Sequence, residues 1–338
     1  MKMGRRKTGW FLAVVFLLSL TVIVRGAATA AEKVVVALPA VPPVFGGVVA
    51  LVAKEEGLFK KYGLDADVRS FDSGAAAAQA VVAGNVDLSL SPTPVVVRMI
   101  SNANVNLIAV YGMENPDWLL ASTDSKLKKC EDLKGQAVGV DSIGGARAVA
   151  LSQFLRPCGL KVEDVKLVAL SSNVSAAMIA GQLKFGVLHL DDVPLLDDQL
   201  KRPVKVIASF KDVNPRSHYL ALVCTTERLK QKRDAYVRVV AGLIDATRFM
   251  LDPKNADRVA QVATATGRTP SLAKEAMARL YKIDFWPVGH NGLTKANLEA
   301  VIAVEKEIGG IKPGKEPVSY DRLVDNTVWK DANALVKR

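Results

Sequence analysis

The sequence predicts an α/β chain of two similar lobes, each a parallel-rich sheet flanked by helices, joined by a double crossover hinge. The first observation is a repeated unit. Residues 77–90 read Ala-Ala-Gln-Ala-Val-Val-Ala-Gly-Asn-Val-Asp-Leu-Ser-Leu, and residues 174–188 read Val-Ser-Ala-Ala-Met-Ile-Ala-Gly-Gln-Leu-Lys-Phe-Gly-Val-Leu. Each is a small-residue helix stopped by glycine, Gly84 or Gly181, and followed by an apolar strand. Glycine tolerates the left-handed conformation that ends a helix, so each stop has a physical cause. The second observation is that strand and helix patterns alternate along the chain, the signature of a sheet covered on both faces. Two such lobes enclose a cleft, where a ligand sits.

The N-terminus stands apart from that pattern. Lys2, Arg5, Arg6 and Lys7 precede an uninterrupted apolar-to-neutral run of 15 residues, Trp10 to Val24, and Ala28-Thr29-Ala30-Ala31 follows. A basic start, a short apolar stretch and a small-residue site form a secretory signal peptide. A membrane span needs about 20 residues. Export to the periplasm with cleavage near Ala30 or Ala31 is the expectation. Loss of five basic and no acidic residues then lowers the formal charge from +11 to +6. The remaining charge is scattered. Pairs such as Lys60-Lys61 read as solvated turns, and a nucleic-acid partner is not expected.

Val34 to Leu38 reads as a buried parallel strand. A proline-rich turn follows (Pro39, Pro42, Pro43), then a helix stopped by Gly57. Leu64, Ala66 and Val68 alternate with charged residues, a half-exposed strand. Gly74 opens a helix that ends at Gly84, Val86 to Leu90 is a strand, and Leu107 to Val110 closes this set. Trp118 to Ser122 is the crossing to the second lobe. There Ala137–Val140, 165–170, 185–190 and 204–209 read as strands, with helices over 146–155 and 174–180. His218 to Cys224 is the return crossing, and helices are expected over roughly 231–251, 254–265, 271–281 and 294–307. The predicted organisation is a signal peptide over 1–31, the first lobe over 32–115, the second over 116–221, and a return to the first over 222–338.

Three cysteines remain. None has Cys-x-x-Cys spacing, so no metal site is expected. Cys130 precedes the strand at 136–141 and Cys158 follows the helix at 146–157. Both therefore lie away from the cleft, and they form a disulfide if their Cα atoms come within about 4.4–6.8 Å. Cys224, inside an apolar strand, is the expected buried free thiol.

Several motifs carry a resemblance. Ala53-Lys54-Glu55-Glu56-Gly57-Leu58-Phe59-Lys60-Lys61-Tyr62-Gly63-Leu64 resembles the A-x-x-x-G-L-F-x-x-x-G-L signature of one family. Ala83-Gly84-Asn85-Val86-Asp87 resembles its A-x-G-x-x-D segment. Asp132-Leu133-Lys134-Gly135-Gln136-Ala137-Val138-Gly139-Val140 is similar to its opening of the second lobe, and Tyr320 to Asp325 to its tail. That family is the nitrate/sulfonate/taurine/thiamine-precursor type of ABC-transporter substrate-binding protein. The resemblance covers nearly the whole chain beyond the signal peptide. It implies the two-lobed periplasmic-binding-protein type II fold and a monomer that captures a small anionic organic ligand for an ABC permease in the inner membrane. The chain departs from the family at Lys184, where an acid is usual. It departs again at His189-Leu190-Asp191-Asp192-Val193-Pro194, where a W-x-P often stands.

In such a fold, ligands sit outside the carboxyl ends of the strands, where helix N-termini point unsatisfied N–H groups. Five places meet that description: Pro43 to Phe45, Ser73 with Gly74, Ser91 with Thr93, Ser142 through Gly144 and Gly145, and Ser171 to Asn173. Ser91 and Ser142 also read as plain helix caps. Arg147, in the first turn of its helix, opposes the macrodipole and can hold a carboxylate or sulfonate bidentately; a salt-bridged arginine is the plainer reading. His189 stands at a strand end facing the cleft as a donor or as a packed neutral imidazole. Tyr111 and Phe45 could sandwich a planar group, with core packing the blander role of Phe45. An enzyme is not expected and no cofactor is implied: Asp141, Ser142 and His189 have the residue types of a hydrolase triad, but no Gly-x-Ser-x-Gly elbow frames Ser142. The alternative role is a ligand-loaded partner of a membrane sensor.

Overall fold

Among the described residues, ten strands form two five-stranded sheets. The computed structural model of the chain describes residue 1 and residues 31–337 except 114, 125, 127 and 128. The expected signal peptide therefore falls almost wholly outside the described residues. The strands are β1 (Glu32–Pro39), β2 (Leu64–Phe71), β3 (Leu88–Pro92), β4 (Leu107–Met113), β5 (Trp118–Ser122), β6 (Ala137–Val140), β7 (Lys166–Ala169), β8 (Phe185–His189), β9 (Lys205–Ser209) and β10 (Leu220–Thr225).

The first sheet has the order β2-β1-β3-β10-β4 and the second β7-β6-β8-β5-β9. The same plan governs both. Three parallel strands lie side by side, with pairs such as Val36↔Val68 and Val36↔Leu88 in the first sheet and Val138↔Leu167 and Val138↔Phe185 in the second. The crossing strands then insert antiparallel. β10 pairs with β3 and β4 (Leu222↔Leu90, Leu222↔Tyr111), and β5 pairs with β8 and β9 (Trp118↔His189, Leu119↔Ser209). The run of strands up to Val110 reads from the sequence as one parallel set. In the structure β4 keeps that direction but is separated from β3 by a strand that comes from more than a hundred residues later.

Composition explains which strands are central. All five residues of β3, β5 and β8 are buried. These strands have helices or neighbouring strands on both faces, so they carry near-continuous apolar or small residues. Edge strand β2 alternates apolar and charged residues and is half-exposed or exposed beyond Leu64. Gly84 and Gly181 both adopt positive φ, at 80° and 72°, as the helix stops require. The last third is helical. The helix Thr226–Leu251 is interrupted by non-helical geometry at Lys232 and packs against a C-terminal helix, Asn326–Val336, that the sequence pattern does not announce.

Cys130 and Cys158 are joined in a disulfide with a Cα separation of 5.9 Å. Cys224 is a buried free thiol, and burial pushes its pKa well up. Among the described residues no helix is long and apolar enough to cross a membrane.

Candidate functional site

The carboxyl ends of both sheets face one cavity of mixed polar and apolar lining. β1 ends at Pro39, β2 leads into Asp72, Ser73 and Gly74, and β3 ends at Pro92. From the second sheet, β6 leads into Asp141, β7 into Ser171 and Ser172, and β8 ends at His189. All of these line one narrow cavity, with Trp118, Arg147 and Tyr219 on its walls. A second narrow cavity continues it, sharing Val44, Arg147, Ser172 and His189 and adding Asp191, Asp192 and Arg268.

The two walls are hydrogen-bonded to each other. Ser171 Oγ donates to the Asp72 carbonyl at 2.6 Å, and Ser172 Oγ donates to the Val41 carbonyl at 2.6 Å. Arg98, whose Nε is paired with the buried carboxylate of Glu305, donates from Nη1 to the Gly144 carbonyl at 2.9 Å. Arg268 Nη2 donates to Asp191 Oδ2 at 2.9 Å and to Asp192 Oδ1 at 2.5 Å. The cleft is closed.

The charges on the second sheet's side are dense. Asp117, His189, Asp191 and Asp192 are each 5% exposed or less. His189 Nδ1 lies 2.9 Å from Asp117 Oδ1, and its Nε2 lies 3.5 Å from the Tyr219 hydroxyl. Burial alone would lower the His189 pKa, but the Asp117 carboxylate outweighs it and the net direction is up. Burial, reinforced by the Asp192 charge, pushes Asp191 up to about 6. Asp192 is equally buried, yet Arg268 and Arg147 hold it below the usual carboxylate range. The pair thus splits, as two adjacent carboxylates sharing a cation do.

A pH dependence follows. Asp191 and His189 both bind protons more tightly folded than unfolded. Their stabilising contribution is present at low pH and is lost as pH rises through the folded pKa. For Asp191 the loss falls as pH rises from about 4 to about 6. Asp191→Asn is expected to be more stable than wild type at neutral pH and equal to it near pH 4 by urea unfolding. A variant that loses stability at neutral pH would show that the ionised carboxylate is needed.

The structure uses the sequence-predicted residues unequally. Pro43, Ser73, Gly74, Arg147 and His189 line the cavities. Ser73 also caps its helix, accepting from the Ala76 N–H. Ser91 and Thr93 turn inward: Ser91 Oγ bonds Ser89 Oγ and the Gly74 carbonyl, and Thr93 Oγ1 bonds His218 Nδ1. Phe45 and Tyr111 are buried in the apolar core and form no sandwich at the cavity. Asn173 stands at the start of the helix Val174–Ile179, without a side-chain cap bond and outside the cavity lining.

The Ser142–Gly145 turn has an occupant of its own. Asp141 Oδ1 accepts the N–H groups of Ser142 (2.8 Å) and Arg147 (3.1 Å), filling the helix N-terminus expected to hold a ligand anion. A side chain at Gly145 would lie 2.5 Å from that oxygen, so this glycine makes room for Asp141. The Arg147 guanidinium is buried. One nitrogen donates to the Val187 carbonyl at 3.2 Å, and another lies 3.9 Å from Asp192. His189 faces Asp117 and Tyr219 rather than Ser142, so the triad residue types are not assembled as one.

Gly74 serves packing as much as the cavity. A Cβ there would lie 2.1 Å from Pro92 Cδ. Gly74→Ala is expected to cost about 1–3 kcal/mol, the range for overpacking. Denaturant unfolding checks this, and an unchanged midpoint would refute it.

Trp118, Tyr219, Asp117, Asp191, Asp192 and Arg268 were not among the predicted site residues. Trp118 packs edge-on to Tyr219 with ring centroids 4.9 Å apart.

The family model described as NMT1/THI5 like matches residues 46–256. The chain belongs to the NMT1/THI5-like family. A binding protein of Brucella abortus strain 2308 is 24% identical over 220 residues, spanning 65% of this chain and 68% of that protein. A protein of Bordetella bronchiseptica RB50 superposes with a TM-score of 0.76 at 18% identity, covering 92% of this chain and 99% of that one. The alkanesulfonate-binding protein SsuA of Xanthomonas axonopodis pv. citri, solved with MOPS bound, superposes with a TM-score of 0.70 at 17% identity, covering 88% and 100%. These likenesses establish the two-lobed periplasmic-binding-protein fold for this family member, as its sequence motifs imply.

Proposed function

We propose that this protein is the solute-binding component of an ABC importer. It captures a small polar organic molecule between its two sheets and presents it to a membrane permease. One observation carries the reading: a cavity at the carboxyl ends of both sheets, bridged by hydrogen bonds from wall to wall. That arrangement suits capture by hinge closure, in which a ligand touching both walls shifts an open–closed equilibrium. The family membership and the printed functions of the relatives support it.

The ligand carries oxygen acceptors, a carboxylate or sulfonate among them, consistent with the organic anion expected from the sequence. Its donors are not the start of the helix Ala146–Leu155, which Asp141 fills. They are Trp118 Nε1 and Arg268 Nε, buried N–H groups on the cavity walls without partners among the described residues. No covalent step belongs to this function. Export with cleavage near Ala30 or Ala31 is part of the same proposal, and N-terminal sequencing of periplasmic protein tests it. An intact Met1 in the membrane fraction would refute it.

The deciding experiment is a thermal-shift screen of the exported chain against a broad library of small metabolites, followed by titration calorimetry. A ligand at 100 times its dissociation constant adds about 2.7 kcal/mol of stability. Scattering should report compaction on binding. A library that leaves the melting temperature unmoved throughout would remove the solute-binding role.

A further inference from the structure

The chain passes between the two sheets twice, from β4 to β5 and back from β9 to β10. Both passages border a cavity of about 200 Å³. It shares no lining residue with the cleft and is roomier than either cleft cavity. Asn115, Pro116 and Asp117 reach it from the first passage, and Lys211 and Pro215 from the second. Lys282 and Ile283, which follow the helix Pro270–Tyr281, supply a third side. Asn115 Nδ2 ties that side to the first passage, donating to the Ile283 carbonyl at 2.7 Å.

The lining combines an apolar surface with unanswered positive charge. Pro116, Leu190, Pro215 and Ile283 give the apolar part. Lys211 and Lys282 give the charge, and among the described residues neither is held in an ion pair or a hydrogen bond. Two carboxylates also line the cavity. Asp117 is already taken, facing His189 Nδ1 at 2.9 Å and accepting the Leu190 N–H at 3.4 Å. Asp284 alone stands against the two lysines, so the balance is positive. An inorganic anion would leave the apolar surface uncovered, and an uncharged ring would leave the lysines unmet. Pockets for drug-sized ligands measure roughly 300–1,000 Å³, so this one suits a single ring bearing an acid.

The position of the cavity gives it leverage on the cleft. The two passages are where the sheets must pivot if the cleft is to open. An occupant held by Lys211 and Lys282 spans both of them. One pair of side chains also separates the two spaces: His189 lines the cleft and Asp117, bonded to it, lines this cavity. A molecule that fits the cavity in the closed arrangement favours that arrangement by its differential affinity.

We propose that this cavity binds a second small molecule, a single-ring organic acid whose carboxylate meets Lys211 and Lys282, and that its occupancy favours the closed cleft. The site uses no cleft-lining residue and goes beyond the solute-binding reading; its effect on closure rests on the hinge of that reading.

The probes are 4-bromobenzoate, 4-bromophenylacetate and 5-bromo-2-furoate, each with its neutral carboxamide. Anomalous scattering from bromine in soaked crystals locates each probe. Calorimetry gives its affinity in solution, and hydrogen exchange reads closure. The expected result is a bromine peak in this cavity for at least one acid, with its carboxamide weaker by about fivefold or more. The paired variant Lys211→Ala with Lys282→Ala should weaken that acid by a similar factor, and its unliganded melting temperature shows that the fold is retained. Exchange should slow at the first passage and also at residues 171–173, in the cleft wall and outside this cavity. No peak here for any acid, a peak in the cleft alone, or binding at crystal concentration only overturns the site. Equal binding of the carboxamide, or of the paired variant, overturns the acid-to-lysine contact. Slowed exchange confined to the cavity's own lining overturns the effect on closure. None of these outcomes depends on a cleft solute, so the solute-binding role is decided separately by the thermal-shift screen.

Discussion

Arg268→Ala is expected to cost about 3–5 kcal/mol of unfolding free energy at neutral pH, the loss for stranding a buried charge. The side chain is 12% exposed, and its carboxylate partners are more deeply buried still. Without it, Asp191 and Asp192 face each other with His189 and Arg147 nearby, and Arg147 lies 3.9 Å from Asp192, too far for a full hydrogen-bonded pair. Acid should relieve part of the deficit, because Asp191 then takes up a proton and its repulsion with Asp192 ends. Urea unfolding at neutral and mildly acidic pH measures both effects. Arg279→Ala is the control: Arg279 pairs with Glu275 on the surface of one helix and is worth at most about 0.5 kcal/mol. A deficit at Arg268 no larger than the control's would refute the account.

Breaking the disulfide is expected to cost about 3–4 kcal/mol, since the bridge closes a loop with a sequence separation of 28. It ties the segment before β6 to the turn after the helix Ala146–Leu155, on the side of the second sheet away from the cavity. The paired variant Cys130→Ser with Cys158→Ser should therefore melt lower, with ligand affinity largely kept. Thiol counting on unfolded, unreduced wild type should find one free thiol, Cys224. Three thiols, or a serine pair that melts with wild type, would remove the bridge from the account of stability.

Much of the fold was legible because its signals are local. Gly84 and Gly181 stop helices for a backbone reason that any sequence displays, and Ala137–Val140 is bounded by Gly135 and Asp141 in plain view. The antiparallel insertions were not legible. Nothing in Leu220–Thr225 distinguishes a strand that closes a gap from one that adds an edge. The site was half legible for a related reason. Topology brings strand ends together, so Ser73, Gly74, Arg147 and His189 could be found by position. Whether a side chain there faces the cavity or the interior depends on neighbours far along the chain. Ser91 bonds Ser89 and Gly74, and Thr93 bonds His218, so right residue types at right positions point the wrong way. Arg268 lies 76 residues from Asp192 and reaches it only because the C-terminal helices fold back over the cleft. The pair Asp191-Asp192, standing where the family often has W-x-P, was the one local sign that this wall differs.

The inserted strands also impose an order on how the molecule is made. Every strand of the second sheet, β5 through β9, comes from one contiguous stretch, Trp118 to Ser209. The first sheet cannot be completed until β10 arrives, because β3 and β4 have no direct pairing and wait for a strand that lies beyond the whole second sheet. Closing so long a loop delays contacts between distant segments, and during chain emergence it leaves the edges of β3 and β4 open. The later-made half should therefore become protected first. Pulsed hydrogen exchange during refolding is expected to show amides of β6 and β8 protected ahead of those of β3 and β4. Simultaneous protection of both sheets would mean that they fold as one cooperative unit despite the interruption.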